Sequence, residues 1–259
     1  MIDAHAHLDD DKFRGDLDQV IQRAMSVGVS GILTAGSDLE SSRTGVAIAK
    51  QHPIVYAAVG YHPHEASRAT AEDLEAIEAL CRENKVVAIG EIGLDFYRNL
   101  SAADDQITVF REHLKIAQRT GMPVVVHSRD AVEDTFDILR EWTKSTVNSR
   151  CMMHCFTGDP DLAARYLELG FYISIAGPVT YPNNTKTKDV VRTLPLDRLI
   201  IETDSPVLAP QRVRGKRNEP AYLKDTVDCI AEIKGLSPDE ISKATEANTV
   251  ALFGPKAAV

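Results

Sequence analysis

Six residues with metal-binding side chains lie at or just beyond the ends of short strand-like segments in this sequence. They are His5, His7, Glu91, His127, His154 and Asp204. Imidazole nitrogens and carboxylate oxygens are ligands that divalent metals such as Zn²⁺ take in proteins. A carboxylate shared by two cations, as Glu91 would be, also avoids the large cost of burying an isolated charge. The set therefore predicts a dinuclear metal site with hydrolase chemistry.

The local spacing of the ligands supports this prediction. Residues two apart in a strand point to the same face, so His5 and His7 are expected to face one site together. The same alternation in the segment Cys151–Cys155 separates His154 from both cysteines. We therefore predict that His154 faces the metals, while Cys151 and Cys155 pack outward against helices instead of binding zinc.

Strand-like and helix-like patterns alternate along the whole chain. The predicted strands are Ile2–Leu8, Gly31–Ala35, Ile54–Val59, Val86–Ile89 (running on to Glu91), Val124–Val126 (running on to His127), Cys151–Cys155, Tyr172–Ile175 and Leu199–Ile201 (running on to Asp204). Each is followed by amphipathic helical sequence, and no linker or glycine-rich nucleotide-binding fingerprint interrupts the series. This favours an α/β protein with a single (β/α)8 TIM barrel over residues 1–259, rather than an open doubly wound sheet.

The barrel interpretation places the chemistry at one rim, because active sites of such barrels lie at the C-terminal ends of the strands. His62 follows the third strand and is predicted to contact a substrate phosphate or to assist the leaving group, with a plain turn as the alternative. Glu202 could support a ligand, bind a third cation, or be a buried acid paired with a neighbouring cation. His113, in the middle of a predicted helix, is expected to be structural.

The overall composition limits the class of protein. No apolar stretch approaches the roughly 18–20 residues that span a bilayer, and the N-terminus shows no secretory signal. The four cysteines form no dense framework, so we expect reduced thiols and a cytoplasmic protein without a membrane association. A net charge of −9 argues against a protein that coats nucleic acid, but not against a nuclease whose cations attract phosphate. The basic stretch 212–217 is either a solvated loop or a contact for such a substrate.

The sequence resembles the TatD family of metal-dependent deoxyribonucleases, and the resemblance runs in order along essentially the whole chain. GEIGLDFYR and ETDSP are together highly specific, whereas His-x-His alone is not. The segments that carry the resemblance are IDAHAHLDD at 2–10, GYHPH at 60–64, GEIGLDFYR at 90–98, PVVVHSRDA at 123–131, MHCFTGD at 153–159, IIETDSPVLAP at 200–210, GKRNEP at 215–220 and NTVALF at 248–253. One departure from the family pattern is Val207, at a position where an aromatic residue is common.

The resemblance implies a TIM barrel with two divalent cations that cleaves DNA phosphodiesters, commonly as a 3′-to-5′ exonuclease and in some members at abasic sites. One cation would be held by His5, His7, Glu91 and Asp204, and the other by Glu91, His127 and His154. His62 matches a histidine on the substrate side. Arg129 and the GKRNEP loop, with Lys216 and Arg217, lie where DNA contacts are expected.

As a mechanistic hypothesis, Asp204 orients and deprotonates the attacking water and Glu91 fixes the metal separation. Mg²⁺ or Mn²⁺ would serve activity, although the imidazole ligands also suit Zn²⁺. The expected substrate is DNA, as single strands or 3′ ends, and no obligate protein partner is evident. The choice between DNA and RNA, and between exonuclease and abasic-site action, stays open.

Two other functions compete with the nuclease. One is a barrel hydrolase acting on a small ester, lactone or amide. Phosphotriesterase-like members bridge their metals with a carbamylated lysine after the fourth strand, but Lys85 precedes that strand here and Glu91 occupies the rim position. The other is a non-catalytic scaffold, which the intact ligand set disfavours.

Overall fold

Eight parallel strands, joined in chain order by helices, form the sheet of this protein. The computed structural model describes residues 1–254, and residues 255–259 of the predicted domain lie outside the described part. Each strand pairs with the next one in sequence. The strands are β1 (Ile2–Ala6), β2 (Gly31–Ala35), β3 (Val55–Val59), β4 (Val86–Asp95), β5 (Val124–Arg129), β6 (Cys151–Met153), β7 (Tyr172–Ile175) and β8 (Leu199–Ile201).

Nine α-helices among the described residues complete the β/α alternation. They are α1 (Leu17–Ser26), α2 (Leu39–Gln51), α3 (Ala71–Leu80), α4 (Ala103–Thr120), α5 (Val132–Ser145), α6 (Pro160–Glu168), α7 (Thr185–Thr193), α8 (Leu223–Lys234) and α9 (Pro238–Phe253). Several begin at a residue whose side chain accepts a hydrogen bond from the first turn, such as Thr70 before α3 and Ser237 before α9. Such caps satisfy the free N–H groups of a helix start.

The sheet closes on itself where its first and last strands meet. Ala6 forms a bridge with Ser205, which follows β8. The Asp3 carboxyl accepts a hydrogen bond from the Thr203 N–H (2.8 Å) and another from the Thr203 hydroxyl. These contacts tie β1 to the segment after β8, and the predicted (β/α)8 TIM barrel is confirmed.

Alternation along the strands separates an inner face from a helix-covered outer face. Val125 and Met152 are each two residues before a candidate ligand, His127 and His154, and so lie on the same face of their strands. Both belong to an apolar cluster that also contains Leu252 of α9. No described helix is long and apolar enough to cross a membrane.

Several strand ends differ from those predicted: β5 runs on to Arg129 and β8 ends at Ile201, and three further differences move residues of the candidate site. β1 ends at Ala6 and β6 at Met153, each two residues earlier than expected, so His7 and His154 follow their strands. β4 instead runs on to Asp95, which pairs with Arg129 at the end of β5. Gly93 permits this extension: its φ of 134° suits glycine, and an added Cβ would overlap the His127 carbonyl oxygen.

His113 has the structural role that the sequence predicted. It is fully buried in α4, where its Nδ1–H donates to the Val109 carbonyl (2.8 Å) and its Nε2 accepts the Tyr61 N–H (3.2 Å). Burial lowers its pKa to about 4. The folded chain therefore keeps this imidazole neutral at a pH where the unfolded chain protonates it.

The replacement His113→Gln tests this linkage. As the pH falls from about 7 to about 5, His113 becomes protonated in the unfolded chain but stays neutral in the folded chain. This difference in proton uptake should lower the free energy of unfolding by about 2 kcal/mol. Urea unfolding at both pH values should show that the free energy of unfolding decreases less between about pH 7 and about pH 5 in the variant than in the wild type. The variant should nevertheless be less stable than the wild type near neutral pH. His52→Gln serves as the control, and an equal pH dependence of wild type and His113→Gln would contradict the assignment.

Candidate metal centre

The Glu91 carboxylate is the centre of the candidate site. It is almost completely buried near the C-terminal end of the barrel, and its two oxygens face different groups of histidines. Oε2 lies 3.3 Å from Nε2 of His5 and 3.5 Å from Nε2 of His7. Oε1 lies 2.9 Å from Nδ1 of His127 and 3.3 Å from Nε2 of His154. Glu91 therefore lies between two potential cation positions.

The first position is formed by His5, His7 and Asp204 together with Glu91 Oε2. The Nε2 atoms of the two histidines are 3.2 Å apart, and Asp204 Oδ1 lies 3.7 Å and 3.6 Å from them. The His7 Nδ1–H donates to the Ala35 carbonyl (3.1 Å), so the His7 Nε2 is left with its lone pair. A cation would satisfy the nitrogens and carboxylates that meet here, and these residues fit one.

The second position is formed by His127, His154 and Glu91 Oε1. The His127 Nε2–H donates to Asp95 Oδ2 (3.3 Å), which leaves the lone pair of Nδ1 pointing at a carboxylate oxygen. Two electron-rich atoms at 2.9 Å repel each other unless a cation or a proton lies between them. Nδ1 of His154 lies 2.8 Å from Glu202 Oε1, and Nε2 is directed to the site. This donor set also fits a divalent cation.

All six predicted ligands therefore converge, and their division into two groups matches the one that the resemblance implied. His62 joins the second group, because its Nε2 lies 3.5 Å from Glu91 Oε1. The assignment of these residues as ligands stays a prediction. The geometry supports it through the close approach of four imidazole nitrogens of the predicted ligands to one carboxylate.

Charges at the site respond to this crowding. Burial lowers the pKa of His7, but the carboxylates of Asp204 and Glu91 outweigh it and raise the pKa to about 9. Burial acts in the same direction on His154, where Glu202 and Glu91 raise the pKa to about 10. Burial alone would raise the pKa of Glu91, yet the surrounding histidines hold it well below its ordinary value. Without metal, protons thus offset the acidic charge that cations would otherwise balance.

Asp95 is a residue of the site that the sequence prediction missed. Its Oδ2 accepts hydrogen bonds from Nε2 of His64 (2.9 Å) and of His127 (3.3 Å). It lies four residues after Glu91, so the two acids share one face of a strand that continues through both. That even spacing was a usable signal, but the prediction ended the strand at Glu91 and left Asp95 in a loop.

Cys155 departs from its predicted position. Strand alternation no longer applies to it, because β6 ends at Met153 and Cys155 has a φ of 43°. Its sulfur lies within 4.8 Å of ligand atoms of His154 and Glu202 instead of packing outward. Burial raises the pKa of this thiol well above its ordinary value. Cys151 is fully buried in the strand, as expected.

Glu202 lies behind His154 as a supporting acid. Its carboxylate accepts the Cys155 N–H (2.7 Å) and the Ser174 hydroxyl (2.6 Å). These contacts support the predicted role of a residue that holds a ligand in place, and the third cation stays a prediction, because His154, Cys155 and Glu202 also form a group that could hold a metal ion. Lys85 does not bridge the candidate metal positions, because its ammonium group donates to the Pro53 carbonyl (2.6 Å). The lysine bridge of phosphotriesterase-like barrels therefore has no counterpart in Lys85.

A cavity of about 440 Å³ adjoins the candidate metal ligands. His127, His154 and Asp204 line it on the metal side, and Arg98 and Arg129 line it nearer the surface. Within the described residues, neither arginine forms an ion pair with an acid. The predicted substrate contact of Arg129 therefore has a free guanidinium beside the cavity.

The two other predicted DNA contacts differ from each other. Lys216 is exposed in its loop. The Arg217 guanidinium, in contrast, donates to both oxygens of Asp16 (2.7 Å each) and to Glu219 (2.7 Å). These acids already neutralise Arg217, so the geometry does not support its predicted contact with DNA.

Comparison with known proteins gives a consistent result over the full length. A family model described as "TatD related DNase" matches residues 2–254. The chain is 42% identical over 253 residues to the "Uncharacterized metal-dependent hydrolase YabD" of Bacillus subtilis, covering 98% of each chain. It is 38% identical over 259 residues to the "3′-5′ ssDNA/RNA exonuclease TatD" of Citrobacter rodentium, again covering 98% of each. The crystal structure of YJJV, a TatD homologue from Escherichia coli, superposes with a TM-score of 0.92 at 33% identity, covering 98% of this chain and 97% of the other.

Asp95→Asn tests whether Asp95 orients a metal ligand. An amide cannot hold the His127 Nε2–H as a carboxylate does, so we expect affinity for divalent cations to fall about 10- to 100-fold. Competition with a chromophoric chelator measures this, and Asp130→Asn is the control because Asp130 is an exposed acid that follows the same strand. Equal affinity of Asp95→Asn and wild type would mean that Asp95 supports only the fold.

Proposed function

The chain belongs to the TatD-related DNase family and is a metal-dependent hydrolase, and on this premise we propose that it removes nucleotides from the 3′ end of single-stranded DNA. The observation that carries the proposal is the pair of donor groups on either side of Glu91, next to a cavity with two free arginines. That combination suits a phosphodiester, whose charge needs cations on one side and guanidinium groups along the strand. Relatives named as 3′-5′ ssDNA/RNA exonucleases support the polarity.

We assign the first cation to His5, His7, Glu91 and Asp204, and the second to Glu91, His127 and His154. When bound, the two cations would neutralise charge that develops on the phosphate and make a bound water more acidic. Mg²⁺ or Mn²⁺ is proposed for turnover, because phosphate oxygens suit hard cations. The imidazole-rich donor set leaves Zn²⁺ as a competitor for the same atoms.

Asp204 is proposed as the base that accepts the proton of the attacking water. Its N–H donates to the His5 carbonyl (2.9 Å), and its φ of 56° places it in the left-handed region. Such backbone strain persists only where surrounding contacts fix it, as is common at active sites. The carboxylate thereby faces both the histidines and the cavity. From there it can orient a water against the phosphorus.

His62 is proposed to donate a hydrogen bond to the phosphate or to the departing oxygen. Its Nδ1 accepts the His64 N–H (3.1 Å), so the proton of a neutral ring is on Nε2, the atom that faces Glu91. This orientation directs the donor into the site. The geometry favours the substrate-side role over a plain turn.

The proposal extends to abasic-site cleavage only if the same pocket accepts a nucleotide without its base. It requires no protein partner, and no described helix could span a membrane. All four cysteines carry free thiols, which suits the proposed cytoplasmic location.

Glu91→Gln tests the central role of the carboxylate. An amide keeps the shape but removes the negative charge shared by both cation positions, so we expect turnover to fall by at least about 100-fold. The assay is release of mononucleotides from single-stranded DNA labelled at either end, with Mg²⁺, Mn²⁺ or EDTA. Glu141→Gln, in an exposed ion pair of α5, should behave as wild type.

Near wild-type turnover by Glu91→Gln with both metals bound would refute the bridging role. A wild-type protein that binds two cations yet cleaves neither DNA nor RNA with any metal would refute the nuclease. Small esters and lactones would then be the substrates to test.

A further inference from the structure

Tyr97 presents an aromatic ring to solvent in the loop between β4 and α4. Its exposed fraction is 62%. The Arg129 guanidinium lies over the ring, 3.8 Å from its centroid. Arg129 ends β5 two residues after His127, and it lines the cavity beside the candidate metals. The stacked pair therefore lies at the edge of the cavity.

Hydrogen bonds hold this loop in register with the metal ligands. The Phe96 N–H donates to the Arg129 carbonyl (2.9 Å), and the Arg98 N–H donates to Asp95 Oδ1 (2.9 Å). The buried Gln106 side chain accepts the Asp95 N–H (2.8 Å) and donates to the Ser101 carbonyl (2.9 Å). The backbone on both sides of Tyr97 is thus fixed, while its side chain is exposed to solvent. A ring ordered in this way loses little entropy when it binds.

The charge around the ring suits an anionic strand. Arg98 follows Tyr97 in sequence and Arg129 stacks on its ring; both arginines line the cavity, and among the described residues neither is paired with an acid. Cationic groups that follow a backbone, together with an aromatic face for a base, are the usual combination in single-strand binding. Bases in a duplex are already stacked, so an isolated ring favours an unpaired base.

We propose that the Tyr97–Arg129 pair is a stacking platform for one unpaired base of a single-stranded nucleic acid whose scissile phosphate lies beside Glu91. The inference rests on the proposed nuclease function and adds to it a residue that sets the preference for single strands. Tyr97 is a positioning residue: it contacts the substrate away from the reacting atoms and fixes the register of the strand.

The test uses oligonucleotides that carry 2-aminopurine at successive positions from the 3′ end, with phosphorothioate linkages that resist cleavage. Stacking on Tyr97 should quench the fluorescence at one position when wild-type protein is added. Tyr97→Ala should lose that quenching and bind the strand about 5- to 100-fold more weakly, whereas Tyr97→Phe should retain both. Leu100→Ala is the matched control, because Leu100 is also 62% exposed in the same loop.

Turnover separates this inference from the nuclease proposal. On unmodified single strands, Tyr97→Ala should raise KM with little change in kcat, and a base-less residue at the quenched position should abolish the difference between wild type and variant. Quenching without any cleavage would refute the nuclease but keep the platform. Cleavage with equal quenching in wild type and Tyr97→Ala, no quenching at any position, or an equal effect of Leu100→Ala would overturn the platform.

Discussion

The buried charge of Glu91 is the constraint on which the rest of the site depends. A carboxylate with almost no exposure would be strongly destabilising unless positive charge surrounded it. Here five imidazole nitrogens approach its two oxygens, and Asp95 and Glu202 contact the far sides of the His127 and His154 rings. With neutral imidazoles and ionised acids, this group of residues has a net negative charge unless it binds cations or protons. The fold thus provides an arrangement whose stability is coupled to what it binds.

Closure of the barrel makes this arrangement possible. His5 lies in the first strand and Asp204 follows the last, and Asp3 and Thr203 join the same two segments. Burial raises the pKa of Asp3 to about 8, against the effect of its hydrogen bonds from Thr203. Near neutral pH, Asp3 therefore keeps its proton, and its side chain adds no negative charge to those of Glu202 and Asp204 nearby. The closure contact and the first cation position share their backbone, so disruption of one displaces the other.

Sequence patterns predicted the barrel and the convergence of its ligands, because strand order and strand parity determine both. They missed what depends on pairing between distant segments. Asp95 enters the site because β4 extends through two glycines to stay paired with β5. Cys155 enters it because β6 stops early. The position of Arg217 depends on Asp16, which is about two hundred residues away in sequence and invisible to local charge patterning.

The pairing of Arg217 with acids bears on which cations can attract a substrate. The basic stretch 212–217 is the densest positive segment of a chain with net charge −9. Asp225 pairs with Arg212, and Asp16 and Glu219 pair with Arg217, so within the described residues only two of its four cations, Arg214 and Lys216, lack an acid partner. Paired charges produce little field beyond a Debye length of about 8 Å. Arg98 and Arg129 also lack an acid partner within the described residues, and, unlike Arg214 and Lys216, both line the cavity beside the candidate metal ligands. Under the proposed function, a strand would therefore be guided by the unpaired cations at the cavity rather than by the number of cations in the sequence.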